Sequence, residues 1–232
     1  MKVSVVVANN GRDLTKLGHS LLNSSYQDVE LIVVDEGKER SYQRNKGIKQ
    51  AKGEIVIWLD SDQSVSPNMI LDCVHQIGLG ATAVYIPEVI IADSFFGKVR
   101  KFEREFYTGT PIDVPRAVVR AACPMFNEDL NGPEDADWGN RIQGLKVVGK
   151  NVLYHHDDIG LLDYLEKKAY YSKSMKKYQA LWPDDKCLNW KWRCFGVFVE
   201  RGKWRKLIRH PLLAACIFGL IFLRGIVYVA NR

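Results

Sequence analysis

The chain has 232 residues, 47% of them apolar, and a net charge of +6; that length supplies one substantial core with an appendage and leaves little for a second full domain. The charge is lopsided: residues 1–165 hold 18 Lys and Arg against 23 Asp and Glu, whereas residues 166–232 hold 15 against 4. A basic excess confined to a tail beside an apolar stretch argues against a nucleic-acid partner and for anionic lipid.

Met1-Lys2 leads directly into the β-branched run Val3–Val7, too short for the apolar region of an export signal, so none is expected. Five scattered cysteines, Cys73, Cys123, Cys187, Cys194 and Cys216, lack the paired spacing of a zinc site or a disulfide framework and predict reduced, cytosolic thiols. Val3–Val7 predicts the first strand, Leu14, Leu17 and Leu21 a helix, Val29–Val34 a second strand, the segment ending near Ala51 a second helix, and Ile55–Leu59 a third strand.

That βαβαβ order of continuous apolar strands predicts an α/β fold with a mostly parallel central sheet, covered by helices on both faces. Such sheets bind ligands beyond the carboxyl ends of their strands. The residues there are Ala8 with Asn9-Asn10, Asp35-Glu36-Gly37 and Asp60-Ser61-Asp62, which would line one acidic crevice.

Residues 94–107 predict a helix bearing Lys98, Arg100, Lys101 and Arg104. Pro133, followed by Glu134-Asp135-Ala136-Asp137-Trp138, opens another through Leu145. Strand-like Asn151–Tyr154 leads to His155-His156-Asp157-Asp158. From Gly160 onward the pattern is helical, basic and rich in aromatics, with no repeat. The expected organisation is a catalytic domain over 1–165 and a basic helical tail over 166–232.

Asp60 and Asp62 leave a buried strand together, and two adjacent carboxylates are mutually destabilising without a cation. Mg²⁺ or Mn²⁺ would reconcile them and tie them to a substrate phosphate; the plainer alternative is a solvated acidic turn. Plainer alternatives also stand for the others: a helix cap for Asp35, an exposed helical charge for Arg44, and first-turn acid enrichment for Glu134-Asp135.

The succession Val3-Ser4-Val5-Val6-Val7, Glu30-Leu31-Ile32-Val33-Val34-Asp35, Gln43-Arg44-Asn45-Lys46-Gly47-Ile48, Gly53-Glu54-Ile55 and Leu59-Asp60-Ser61-Asp62 resembles the family 2 glycosyltransferases over residues 1–170. The resemblance implies an inverting enzyme of GT-A fold using a nucleoside-diphosphate sugar and a divalent metal. It assigns Asp60 and Asp62 to the metal and diphosphate, with Ser61, Ala8 and Asn10 beside the donor. Asp35 or Glu36 falls at the base, Arg44 near the nucleotide and Asp135 at the general base. His156, from a stretch of H-H-E type, becomes a candidate extra ligand. The chain departs from the pattern at Glu36-Gly37-Lys38 and at Gln43, which leaves the base open.

Pro211–Ala230 carries a single charge, Arg224, and follows Arg201, Lys203, Arg205, Lys206 and Arg209. Twenty such residues reach across a bilayer, but a central arginine costs about 2.5–3.5 kcal/mol there, so a span, a shallow interfacial helix and a helix covering the domain are all open. In the membrane readings the basic flank puts the catalytic domain at the cytoplasmic face.

The expected function is sugar transfer to an acceptor hydroxyl on a lipid-linked or membrane-proximal glycan, with Arg100 and Arg104 as candidates to meet an anionic acceptor. Its rivals are transfer to a polyprenyl phosphate, which needs no base, and a tethered binding module without turnover. A sugar nucleotidyltransferase would need a glycine-rich phosphate loop, which Asn9-Asn10-Gly11-Arg12-Asp13 is not.

Overall fold

A computed structural model describes residues 1–231. β1 (Val3–Ala8), α1 (Thr15–Leu22), β2 (Val29–Val34), α2 (Arg40–Gln50) and β3 (Ile55–Asp60) form the expected βαβαβ unit. β1 lies between β2 and β3, parallel to both, in a register that sets Ala8 beside Val34 on one side and Asp60 on the other. The three strand tips therefore end level.

Beyond β3 the chain forms β4 (Gln63–Val65), α3 (Met69–Gly78), β5 (Ala83–Tyr85), β6 (Glu88–Ile91), α4 (Phe95–Arg104), β7 (Ala117–Val119), α5 (Glu134–Arg141), β8 (Lys146–Val148) and β9 (Leu153–His156). The main sheet runs β2-β1-β3-β7-β5-β8, with β7 antiparallel to both neighbours. A second sheet, β4-β9-β6, starts directly after the Asp60–Asp62 turn. The helix expected through Leu145 stops at Arg141, and Gly144, at φ +101°, turns the chain into β8.

Alternation along β1 and β3 sends side chains to two cores. Val3, Val5, Val7, Ile55, Ile57 and Leu59 join Leu17 of α1 and Met69, Ile70 and Cys73 of α3 on one face. Val6, Val56 and Trp58 meet Ile48 of α2 and Trp138 of α5 on the other. The sheet is covered on both faces, as its continuous apolar strands require.

The tail continues as α6 (Leu161–Ser172), α7 (Met175–Leu181), a π-turn over Trp192–Gly196, the short α8 (Val197–Val199), α9 (Trp204–Arg209) and α10 (Pro211–Ala230). It folds back on the rest of the chain: Tyr178 packs on Leu130, while Val197, Phe198 and Ile217 close over Val99, Phe102 and Phe106 at α4.

Candidate active site

The level strand tips bring the acidic residues into one network whose hub is Arg44. One turn into α2, its guanidinium is fully buried and donates from Nη2 to Asp60 Oδ1 and from Nη1 to Asp135 Oδ1, both at 2.6 Å. The Trp58 ring lies 4.2 Å and the Phe126 ring 5.0 Å from its Cζ, which gives the cation an aromatic bed in place of water. Asp60 also pairs with Arg116 at 3.4 Å, and Arg116 Cζ sits 4.2 Å from the Trp58 ring. Burial alone would raise the Asp60 pKa, but the charges of Arg44 and Arg116 more than offset it and hold the carboxyl well below its ordinary range.

Asp62 is met by Arg12 through Oδ2 and by His155 Nε2, 3.3 Å from Oδ1. The other nitrogen of His155 bonds Glu88 at 2.9 Å. Burial would depress this imidazole, yet its two carboxylate partners win and push it up to about 9, so it is cationic at neutral pH. Arg40 completes the group, bonding Glu134 at 2.8 Å and Tyr171 Oη at 3.1 Å. Burial, then the charge of Asp135, raises the Glu134 pKa.

These pairings correct the premise that Asp60 and Asp62 can share a strand tip only through a metal. Arg44, Arg116, Arg12 and His155 already balance them. They also change two expected roles. Arg44 is too deeply enclosed to seat a nucleotide and instead clamps Asp60 to Asp135. The ring that meets Asp62 is that of His155, while His156 Nε2 bonds Ser64 Oγ at 2.9 Å, because successive strand residues face opposite ways.

The residues that the resemblance assigned to the nucleotide gather at the tips of β1 and β2. Asp35 is exposed and accepts from Asn9 Nδ2 at 3.0 Å. Gln43, where the chain departs from the family pattern, shares the two hydrogens of Nε2 among Asn9 O, Asn10 Oδ1 and Gly37 O at 2.9, 2.8 and 3.0 Å, and so ties both loops together. Glu36 pairs with Lys46 on the surface, Ala8 is buried, and Ser61 lies half-buried in the turn. Arg100 and Arg104 are committed to Asp157 and to Glu88 and Asp113.

Among the described residues no three His, Cys, Asp or Glu side chains converge on one metal position. The donor set still fits a hard divalent cation, which is commonly held by one or two carboxylates with substrate phosphate and water. Asp62 Oδ1 is buried without a well-formed hydrogen bond, and its partner Arg12 is 58% exposed and free to move aside.

A two-faced sheet whose parallel strands end in an acidic, arginine-braced tip, with a helix opening on Glu134-Asp135 opposite, defines a GT-A-type fold. It matches the crystal structure of S. aureus TarS over the whole of this chain and 54% of that one, with a TM-score of 0.54 and 16% identity. TarS residues 1–349 in complex with UDP-GlcNAc match at a TM-score of 0.52, covering 89% of that chain. Residues 36–126 match the model of Glycosyl transferase family 2. It is 26% identical over 137 residues to glucosyl-dolichyl phosphate glucuronosyltransferase of Haloferax volcanii, covering 46% of this chain and 44% of that protein. The chain thus spans less than half the length of this curated relative.

Proposed function

We propose that this protein is an inverting glycosyltransferase that moves a sugar from a nucleoside-diphosphate donor to a hydroxyl of a lipid-linked acceptor. The observation that carries the reading is the Arg44 clamp, which fixes Asp60 and Asp135 at once. Asn10, Asp35, Glu36 and the Ala8 backbone would receive the nucleoside, and Asp60, Ser61 and Asp62 the diphosphate. Mg²⁺ or Mn²⁺ bound at Asp62, with Asp60 near, would neutralise charge on the departing diphosphate. In this arrangement Arg12 releases Asp62 as the donor enters.

Asp135 suits the general base. Its Oδ1 is fixed by Arg44, and among the described residues the carboxylate has no second hydrogen-bond donor, so Oδ2 remains for an acceptor hydroxyl. The proton passes from that hydroxyl to Oδ2, the acceptor oxygen bonds to the anomeric carbon, and the bond from that carbon to the diphosphate breaks with its electron pair leaving on the phosphate oxygen. Attack opposite the leaving group inverts the anomeric configuration.

The lipid-linked acceptor and the cytoplasmic membrane face rest on α10 and on the dolichyl phosphate relative. Ala214, Ile217 and Leu220 face the domain, while Leu212, Phe222 and Val229 are 66%, 69% and 72% exposed. Arg224 bonds Glu103 on α4, so its charge is spent on the protein. A crossing helix would draw α4 and α6 into hydrocarbon with it; an in-plane helix, apolar face to lipid and basic α9 beside it, does not.

The test is steady-state transfer with Asp135→Asn and Asp62→Ala. Asp135→Asn should lower kcat by a factor of about 10²–10⁴ with the donor KM little changed, and Asp62→Ala should lower kcat and lose its response to added Mn²⁺. Wild-type turnover in both variants refutes the assignment.

A further inference from the structure

The sheet β4-β9-β6 begins directly after the Asp60–Asp62 turn, and the transfer reading gives it no task. Its register places three polar side chains on one face. Gln63 of β4 stands opposite His155 of β9, and β6 runs parallel to β9 with Glu88 beside Leu153 and Ile90 beside His155. Residues paired across a sheet, and residues two apart along a strand, point the same way, so Gln63, Glu88 and His155 share a side. The His156 amide donates to the Asp62 carbonyl at 2.8 Å, which ties β9 to the turn itself.

Glu88 links this face to both acids of the turn. Its side chain is only 7% exposed, and both carboxylate oxygens are engaged. Oε1 meets His155 Nδ1 at 2.9 Å, and His155 Nε2 lies 3.3 Å from Asp62 Oδ1. Oε2 meets Arg116 Nη2 at 3.3 Å, and Arg116 Nη1 lies 3.4 Å from Asp60 Oδ2. One buried carboxylate therefore stands behind Asp60 and Asp62 together, through a different cation for each. Gln63 adds to the hold on Asp60, accepting from its backbone amide at 2.9 Å.

Charge balance alone does not account for Glu88. Its third cation, Arg104, is 3.4 Å away but lies 2.7 Å from Asp113, so Arg104 has a nearer counter-ion of its own. Burial would raise the Glu88 pKa, yet the charge of Arg104 and the bond from His155 hold it well below the ordinary range; Arg104 keeps Glu88 ionised. What Glu88 then supplies is direction. An imidazole whose Nδ1 proton is held by a carboxylate presents Nε2 along a fixed line, and a guanidinium held on one side of its planar fork swings little on the other. The remaining partner of Asp62, Arg12, is 58% exposed, which leaves the placement of Asp62 to His155 and, behind it, to Glu88.

We propose that Glu88 is a positioning residue for the donor site: through His155 and Arg116 it sets Asp62 and Asp60 in the arrangement that receives a divalent cation and its diphosphate. The part played by the cation rests on the transfer reading; the hold of Glu88 on His155 does not.

Mn²⁺ uptake by the full chain in the presence of UDP, read by EPR, tests this. Glu88→Gln should weaken Mn²⁺ binding by about tenfold or more, whereas a residue that only supports the fold would lower the melting temperature and leave the affinity of the folded protein unchanged. Glu88→Asp keeps the charge one methylene short of its partners, so it should regain melting temperature but not affinity. Unchanged affinity in Glu88→Gln, or full recovery in Glu88→Asp, overturns the proposal. The ¹⁵N spectrum of histidine-labelled protein needs neither metal nor nucleotide: Glu88→Gln should shift the His155 ring resonances, and an unchanged ring signal overturns the proposal as well. Absence of Mn²⁺ uptake by wild type counts against the transfer reading instead, and the histidine spectrum then decides the hold of Glu88 on His155.

Discussion

Arg44 holds two carboxylates from opposite sides of the site on one planar guanidinium, and the arrangement depends on burial as much as on charge. Arg44→Met would leave Asp60 and Asp135 without their shared cation and should cost about 3–5 kcal/mol in denaturant unfolding. Arg44→Lys keeps the charge but loses the fork that reaches both acids, so it should recover stability better than activity. A melt of Arg44→Met indistinguishable from wild type would show that the clamp is not structural.

Glu30 provides a pH-dependent counterpart away from the site. Hydrogen bonds from Ser4 Oγ at 2.5 Å, Lys2 and the Lys52 amide hold its carboxylate down to about 2. A depressed acid stabilises the fold fully above its unfolded pKa, near 4.5, and loses that contribution as pH falls toward 2. The melting temperature of Glu30→Gln should therefore fall below wild type at pH 7, with the gap narrowing below pH 4.5; a gap that widens on acidification contradicts this. The places of Asp60 and Asp62 at the end of β3 and of Asp135 at the start of α5 were legible in the sequence, whereas the role of Asp135 came only from the family resemblance. Arg116, Glu88 and Arg40 were not legible, since each sits in no motif and reaches the site only through tertiary packing; His155 stood in the H-H-E-type stretch, but which of its two rings meets Asp62 is set by the pleat. Arg44 was visible as a residue but not in its role, because full enclosure by Trp58 and Phe126 has no signature along the chain.

At the scale of elements, the βαβαβ unit followed directly from runs of apolar residues and the helices between them. The short strands β4 to β8 were missed because three or four residues give no usable period, and β4 in particular follows the Asp60–Asp62 turn without a break. How closely α2 packs on β1 was also hidden until Gly47 was seen against Val6. A Cβ at Gly47 would lie 2.3 Å from Val6 Cγ1, so Gly47→Ala must push α2 off the sheet. It should destabilise by about 1–3 kcal/mol and, by shifting Arg44 on the same helix, lower activity as well. Unchanged stability by chemical denaturation would mean that the helix yields freely there.

At the scale of the whole molecule, the tail is less an anchor hung from a domain than a cover that presents one apolar side outward. The sequence showed its length, charge and hydropathy but not that Arg224 turns inward to Glu103, which removes the main objection to an apolar helix with a central charge. Phe222→Glu combined with Ile226→Glu alters only exposed positions of α10. It should leave the melting temperature near wild type while weakening partition onto anionic vesicles by about tenfold or more. Retained flotation would place the membrane contact elsewhere.

The central claim is that the tips of β1, β2 and β3 hold a nucleoside diphosphate with a divalent cation. Calorimetric titration of UDP-sugars and related donors into the protein, with Mn²⁺ and then with chelator, measures it most directly. At least one donor should bind with cation present, lose most of its affinity with chelator, and fail to bind Asp62→Ala. Binding indifferent to both the cation and Asp62, or no binding across the panel, would contradict it.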